Sequence, residues 1–411
     1  MKKLFFFLTI VSLSPLFFQC QPDKIDEIPI ENEPKVQGDT IVVSGNITSS
    51  ETWVTGNTYI LNDMIAVTNN ATLTIEPCVV VKGANGATGL IIDRGAKIDA
   101  QGTATQPIIF TSVNDQLEPG DILSPNLTGD DTGLWSGIFI LGDAPVSSIA
   151  PQNVVPLLPQ QPVYTYGGGA INDNSGTLKY VSIRHTGFET APDETPCGLN
   201  LLGVGNGTTI SLIELFANKD DGFLVAGGAV NAGNIITSKF KDDGYDFDKG
   251  YSGTLDNIIG IGGNANNSSL ELDGGEAAAN PSYTIKNASF KGSQSGEDYI
   301  DFQQNVKCLI ENAYFFGFDA DAIVKLDRDA DADNWIASNI NVINLQFKTS
   351  HLTMGNTTIG TIFKDAGLNG NDAFTIRSPD AVIVTVPTTG ANKSSFSGWT
   401  VADLTGALND F

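Results

Sequence analysis

Histidine is almost missing from this chain: His185 and His351 are the only 2 among 411 residues. Neither lies near the acid-rich segments in sequence, and each reads as an ordinary structural or surface histidine. Cysteine is scarce as well. Of 4 cysteines, Cys20 belongs to the N-terminal segment, and Cys78, Cys197 and Cys308 have no metal-ligand spacing. An odd number of remaining thiols argues against a disulfide framework, and the shortage of histidine and cysteine argues against zinc, which takes its ligands from them. Positive charge is the third shortage: 22 Lys and Arg stand against 47 Asp and Glu, a net charge of −25. Nucleic acid and anionic lipid surfaces need clustered Lys and Arg, so both are poor partners. Divalent cations, neutral glycans and cationic protein surfaces remain open. Helix-period stretches are nearly missing too. From about Gly38 the chain is rich in Val, Ile, Thr, Asn and Gly, the composition of a β protein.

The N-terminus points to export. Lys2 and Lys3 precede an apolar run from Leu4 to Phe18, and Cys20 comes directly after it. A basic start with an apolar core of this length is an export signal, too short to span a membrane. A cysteine directly behind such a core is where a bacterial lipoprotein is acylated and cut, so residues 1–19 read as a signal peptide and Cys20 as the lipidation site. Removing them leaves 20 basic against 47 acidic side chains, a charge of −27. Residues 20–39, with their prolines and acids and no apolar periodicity, read as a flexible acidic tether.

Beyond the tether, similar segments form a ladder. "ANKDDGFLVAGG", "FKDDGYDFDKG", "NNSSLELDGG", "SGEDYIDFQQ" and "FDADAIVKLD" can be stacked, each preceded by another strand-like run such as "TTISLIELF" or "GNIITSKF". Spacings in the twenties with two or three short strands per repeat are those of a parallel β-helix coil; a leucine-rich consensus is missing. The expected fold is all-β: a single right-handed parallel β-helix over 40–378, with residues 379–411 as a C-terminal cap in which Trp399 packs over the last coil. Alternation along the strands turns Tyr245, Phe247, Leu270, Leu272, Ile300, Phe302, Val324 and Leu326 inward. Asp246, Glu271, Asp301 and Lys325 then point outward. The prolines between Asp143 and Tyr166 cannot donate to a ladder, which makes that segment a long loop leaving the solenoid. A second irregular stretch runs over 114–133.

The runs "SGNITSSETWVTGNTYILNDMIAVTNNATLTIEP", "LIIDRGAKIDAQGTATQPIIFTS", "GLWSGIFILGDAPV", "DDGFLVAGGAVNAGN" and "FSGWTVADLTGAL" resemble a family of Bacteroidetes surface lipoproteins with right-handed parallel β-helix repeats. The resemblance implies the fold and an outer-membrane, lipid-anchored, surface-exposed location; the family carries no settled activity. Cys78 takes a place usually held by glycine.

Successive coils set Asp246, Glu271 and Asp301 in one outward row, beside Asp248 and Asp273, with Asp221, Asp243 and Asp298 on the preceding corner. Two unpaired carboxylates about 5 Å apart repel by roughly 3 kcal/mol at an effective dielectric of 20. Calcium, which takes 6–8 oxygens, is the natural compensator. Asp221, Asp243, Asp246, Asp248, Glu271, Asp273 and Asp301 are therefore the expected metal ligands, and Asp246, Glu271, Asp301, Lys325 and Trp335 the expected ligand-binding residues. No catalytic residue is assigned. Polygalacturonase signatures are lacking. A calcium-dependent polysaccharide lyase, with Lys249 or Lys325 as base, is the enzymatic alternative. The favoured function is a binding module for glycans or for a partner outer-membrane protein such as a transporter; a purely structural subunit of such an assembly is the third reading.

The N-terminal pattern makes its own testable claim. Intact-mass spectrometry of membrane-extracted protein should find a lipidated N-terminal Cys20. An unmodified protein cleaved elsewhere would remove the anchor from the account.

Overall fold

In the computed structural model, Val36–Phe411 form one compact unit. The structure describes residues 38–148, 153–154, 164–189, 195–263, 267–277, 279–293, 298–349, 358–365 and 372–411. Cys20 and His351 lie outside the described residues.

Val, Ile, Thr and Phe favour extended backbone with alternating facing, and here they form short strands that stack in parallel coil upon coil. A 10-stranded parallel sheet runs from Met64–Val67 through Leu199–Leu202, Tyr245–Asp248, Leu270–Asp273, Ile300–Gln303 and Val324–Leu326 to Phe363–Asp365. A 16-stranded sheet makes up the rest of the circumference. In the first coils the long sheet is two separate lines of strands. They merge at Gly176–Arg184, whose first half pairs with Lys97–Gln101 and whose second half pairs with Ile108–Ser112. From there each coil carries one long strand bent in the middle. The architecture is the expected all-β parallel β-helix.

The bend has a defined chemistry. Its residue adopts a left-handed backbone: Asn234, Asn257, Asn287, Asn312 and Asn344 all have φ between 55° and 59°. Asparagine tolerates this region because its short side chain bonds locally. It also bonds along the solenoid. Asn257 Nδ2 donates to Asn234 Oδ1 at 2.7 Å, Asn312 Nδ2 to Asn287 Oδ1 at 3.3 Å and Asn344 Nδ2 to Asn312 Oδ1 at 2.8 Å. Each asparagine thus bends its own coil and ties it to the one below.

Inside, like residues stack. Phe290, Phe315 and Phe347 occupy one register, with ring centroids 5.0 and 5.1 Å apart. The eight residues expected to face inward, from Tyr245 to Leu326, are all fully buried in one continuous core.

Two expectations need correction. The segment from Asp143 to Tyr166 does not simply leave the solenoid. Its described parts fold back, and Val146, Tyr164 and Tyr166 pack on the outer face of the ten-stranded sheet over Ile91, Phe139, Leu141 and Leu202. Those outward positions are apolar, and the returning chain keeps them from water. Residues 379–411 likewise do not sit on the last coil. Ala381–Ile383 extends the long sheet beside Leu345–Lys348, and the chain then runs along the flank, where Phe396, Trp399, Ala402 and Leu408 cover Ile236, Ile259 and Ile261. Trp399 meets Tyr180 edge-on at 5.4 Å, and Ala402 N–H donates to the buried Glu214 at 3.2 Å. A strap over an apolar flank replaces the expected cap.

The asparagine bend can be tested by substitution. Asn312→Ala loses two side-chain bonds and leaves an alanine in a left-handed conformation, a combined loss of about 2–3 kcal/mol in urea unfolding. Asn312→Gly relieves the backbone term and should fall between alanine and wild type. Equal stability of all three would show that the ladder contributes nothing.

Candidate functional site

The outer surface of the ten-stranded sheet changes character along the solenoid. Down one register, it runs Leu224, Asp246, Glu271, Asp301, Lys325 and Lys364. The neighbouring column runs from Ala226 to Asp248, and from Asp273 to Gln303. The apolar cover ends at Leu224 and Ala226; from Tyr245–Asp248 onward the outward positions are charged or amide. Alternation causes this: with Tyr245 and Phe247 in the core, Asp246 and Asp248 must face out.

The structure thus brings Asp246, Glu271, Asp301 and Lys325 together on one row as expected. Among the described residues it does not bring three acids of that row within reach of one ion, and Asp301 and Glu271 have other partners. Lys325 Nζ lies 2.6 Å from Asp301 Oδ2. Gln303 Nε2 bridges Asp301 Oδ2 at 2.9 Å and Glu271 Oε1 at 3.0 Å. Burial and a hydrogen bond with Glu271 push the Asp243 carboxyl well above its ordinary range. Lys249 Nζ pairs with Asp248 at 3.2 Å and with Glu276.

Asp221 and Asp243, expected as metal ligands, also tie the corner together. Asp221 Oδ1 accepts the Asp243 N–H at 2.9 Å, Asp243 Oδ1 accepts the Ser268 N–H at 2.7 Å, and Asp298 Oδ1 accepts the Ile323 N–H at 2.9 Å. Each carboxyl satisfies a buried donor of the next coil. Among the described residues, the groups whose ligand atoms lie within 4.8 Å of one another are Cys197–Asp220–Asp221 and Asp221–Asp242–Asp243. The second is all hard oxygen and suits calcium better than the first, which holds a thiol. Asp220 and Asp242 are not among the residues expected from the sequence, although the doubled aspartates at 220–221 and 242–243 are a visible signal there.

Trp335 is also corrected. It is fully buried in the helix Asp329–Ile336, its Nε1 donating to Arg377 O at 2.7 Å while the Arg377 guanidinium sits 4.3 Å from its ring centre. A side chain so enclosed offers no platform to a ligand. His185 is structural as expected: it is buried, with Nδ1 2.6 Å from Asp131 O. Cys78, Cys197 and Cys308 are free and buried.

Burial and mutual repulsion raise the carboxyls of the face. Burial, then the charges of Asp221, Glu271, Asp248 and Asp273, push the Asp246 carboxyl well above its ordinary range. Burial and the charges of Asp248 and Asp301 push Asp273 up to about 7. Burial raises Asp301 despite its partner Lys325. The lysines answer in kind. Burial works to lower Lys325, but its bond to Asp301 wins and raises it; Lys249 is raised by Glu276 and Asp248 against the same penalty. Neither lysine is a proton acceptor at neutral pH in this arrangement. Two carboxylate oxygens are left over: Asp273 Oδ1 and Asp301 Oδ1 are buried and have no hydrogen-bond partner.

Residues 45–400 match a family model described as a pectate-lyase like beta helix domain. No curated protein and no solved structure matches the chain.

These raised carboxyls fix the sign of a pH effect. A carboxyl whose folded pKa lies above its unfolded value stabilises fully below the unfolded value, and that stability is lost as pH rises through the folded one. For Asp273 the window runs from the ordinary value of 3.8 to about 7. The melting temperature should therefore rise by a few degrees as pH falls from about 8 to about 5, and Asp273→Asn should flatten the slope. A flat or opposite profile in the wild type would mean that these carboxyls titrate normally.

Proposed function

The chain belongs to the pectate-lyase-like β-helix family, and on that premise we propose that its uncovered acidic face is a glycan-binding surface on an exported, lipid-anchored protein. The family fits carbohydrate binding or lyase chemistry in general. One observation carries the choice of face: among the described residues, the outward positions of the ten-stranded sheet change from apolar ones packed under Val146, Tyr164 and Tyr166 to carboxylates at Asp246 and Asp248. A rigid solenoid presents such a row at strand spacing, suited to an extended ligand lying along the axis.

Binding is favoured over lyase activity because both candidate bases, Lys249 and Lys325, are held protonated by neighbouring acids. Calcium belongs to the proposal as a compensating ion. Asp221, Asp242 and Asp243 would hold it, and the row of Asp246, Glu271, Asp273 and Asp301 would gain from its charge. The two oxygens of that group already accepting backbone N–H bonds predict weak binding. Anchoring through Cys20 and contact with an outer-membrane transporter remain part of the same reading, supported by the order of charge, apolar run and cysteine in the sequence.

A glycan array with the purified protein, with and without calcium, tests the surface. Binding should weaken about tenfold or more, a cost near 1.4 kcal/mol, in Asp246→Asn with Glu271→Gln. Calcium at a hundredfold excess over its dissociation constant should stabilise the fold by about 2.7 kcal/mol, seen as a higher melting temperature than in chelator. Identical melting in both buffers removes calcium. An array without signal removes the glycan.

A further inference from the structure

Residues 113–134 form a loop between Ile108–Ser112 and Trp135–Leu141, and all of them are described. Its two ends are fixed. At the first, Leu117 packs on Val80 and Ile109, and Asp115 O accepts from Lys82 Nζ at 2.9 Å. At the second, Gly133 N–H donates to Thr186 O at 2.8 Å and Leu134 N–H to His185 O at 3.0 Å. Between these ends two neighbouring side chains hold the loop by its carbonyls. Arg184 Nη1 donates to Ile122 O at 2.6 Å, and His185 Nδ1 lies 2.6 Å from Asp131 O.

A carbonyl oxygen can only accept, so Nδ1 carries the proton and Nε2 is the bare nitrogen of a neutral ring. Nε2 is buried and has no hydrogen-bond partner. The charged groups around it offer little help. Arg184 adjoins it on its own strand, buried, with Nη2 3.5 Å from Glu214 Oε2 of the next coil but without a hydrogen bond. Asp115 and Asp131 act on it from the loop, but the Asp131 carboxylate accepts from the N–H and hydroxyl of Thr128 at 2.7 and 2.9 Å. From the neighbouring coils, the Phe216 ring meets it edge-on at 5.7 Å, the Lys239 stem lies against Gly129 of the loop, and Lys219 pairs with Glu189 at the surface. Burial outweighs the carbonyl and the two aspartates and holds the imidazole below its ordinary value of 6.5.

A second proton on the ring would sit at Nε2, with no acceptor and next to a buried guanidinium. A buried charge without a partner is strongly destabilising. The strands beside it cannot part without breaking ladder bonds, whereas the middle of the loop is held by two carbonyls, so the loop gives way and lets water in. We propose that His185 is a pH-sensitive latch, which fastens residues 118–132 over Arg184 when neutral and releases them when protonated. The device is independent of the acidic face and of what that face binds. Its pH dependence has the opposite sign to that of the raised carboxyls. A depressed imidazole contributes stability that is fully present above 6.5 and is lost as pH falls from there toward its folded value.

Hydrogen exchange of the full chain, corrected for the intrinsic pH dependence of amide exchange, tests the latch at about pH 7.5 and about pH 5.5. Amides of residues 118–131 should open about tenfold more readily at the lower pH, while those of Asn231–Ser238 stay as they are. His185→Asn should hold the loop equally at both values. Its amide can donate to Asp131 O, takes up no proton and tolerates the left-handed φ of 60° at this position. With only 2 histidines in the chain, His351→Asn assigns the ring signals in NMR. The His185 midpoint should lie below 6.5 and coincide with loop opening. Equal protection at both values in the wild type overturns the latch, and so does unchanged acid loosening in His185→Asn, which would move the switch to a carboxyl. If that variant is loose at both values, the ring midpoint decides: at or above 6.5 it overturns the proposal, and below it the latch stands.

Discussion

Every coil must bend where the coil beneath it bends, and the rest of the structure depends on that constraint. Parallel strands give evenly spaced hydrogen bonds only while their register is kept. A bend that drifted by one residue would turn each inward side chain outward. The left-handed asparagines meet the constraint locally and cooperatively. Each takes up a backbone that most residues avoid, and each donates to a side chain of the coil below: Asn257, Asn312 and Asn344 to the preceding asparagine, Asn234 to Ser211 and Asn287 to Asp256. The stacked phenylalanines Phe290, Phe315 and Phe347 are then a consequence of register alone, since the bend lies at a fixed offset from them in each coil.

The same repetition stacks charges as faithfully as it stacks rings. Once Tyr245, Leu270, Ile300 and Val324 are inside, the residues after them are committed to one outward row. A row of free carboxylates would be strained by several kcal/mol at this spacing. The molecule relieves it in two visible ways: an amide bridge from Gln303 to Glu271 and Asp301, and an ion pair from Asp301 to Lys325. Asp273 Oδ1 and Asp301 Oδ1 are buried there without a partner. The relief is internal, which explains why the row does not assemble a three-acid metal cage and why the closer acid groups lie at the corner.

Legibility in the sequence divides along the same line. Alternation with period two is carried by each short segment by itself, so all eight inward residues and the facing of Asp246, Glu271, Asp301 and Lys325 are directly readable. The asparagine bend is not, because loops of unequal length spread its members 23 to 32 residues apart and hide the repeat. Trp335 misleads for a local reason: "DADADNW" looks solvated, but the helix Asp329–Ile336 turns Asp331, Asn334 and Trp335 into the protein. Asp221 and Asp243 are visible as a recurring corner. Their bonds to backbone N–H groups of the next coil depend on a third dimension that spacing does not contain.

The two returning segments, over the ten-stranded sheet and over the flank of the long sheet, obey one rule. Wherever outward positions are apolar, as at Phe139 and Leu202 or at Ile236 and Ile259, the chain supplies its own cover from a distant part of the sequence. Apolar surface is the part of a solenoid that repetition alone cannot bury, because an outward side chain has no opposite face to meet. Covering it costs chain length and conformational entropy, so the cover extends no further than the apolar residues require. Among the described residues its apolar contacts are with positions up to Leu224 and Ala226, beside which the outward positions turn to carboxylates. Hydrophobicity thus decides which outward positions the returning segments pack against.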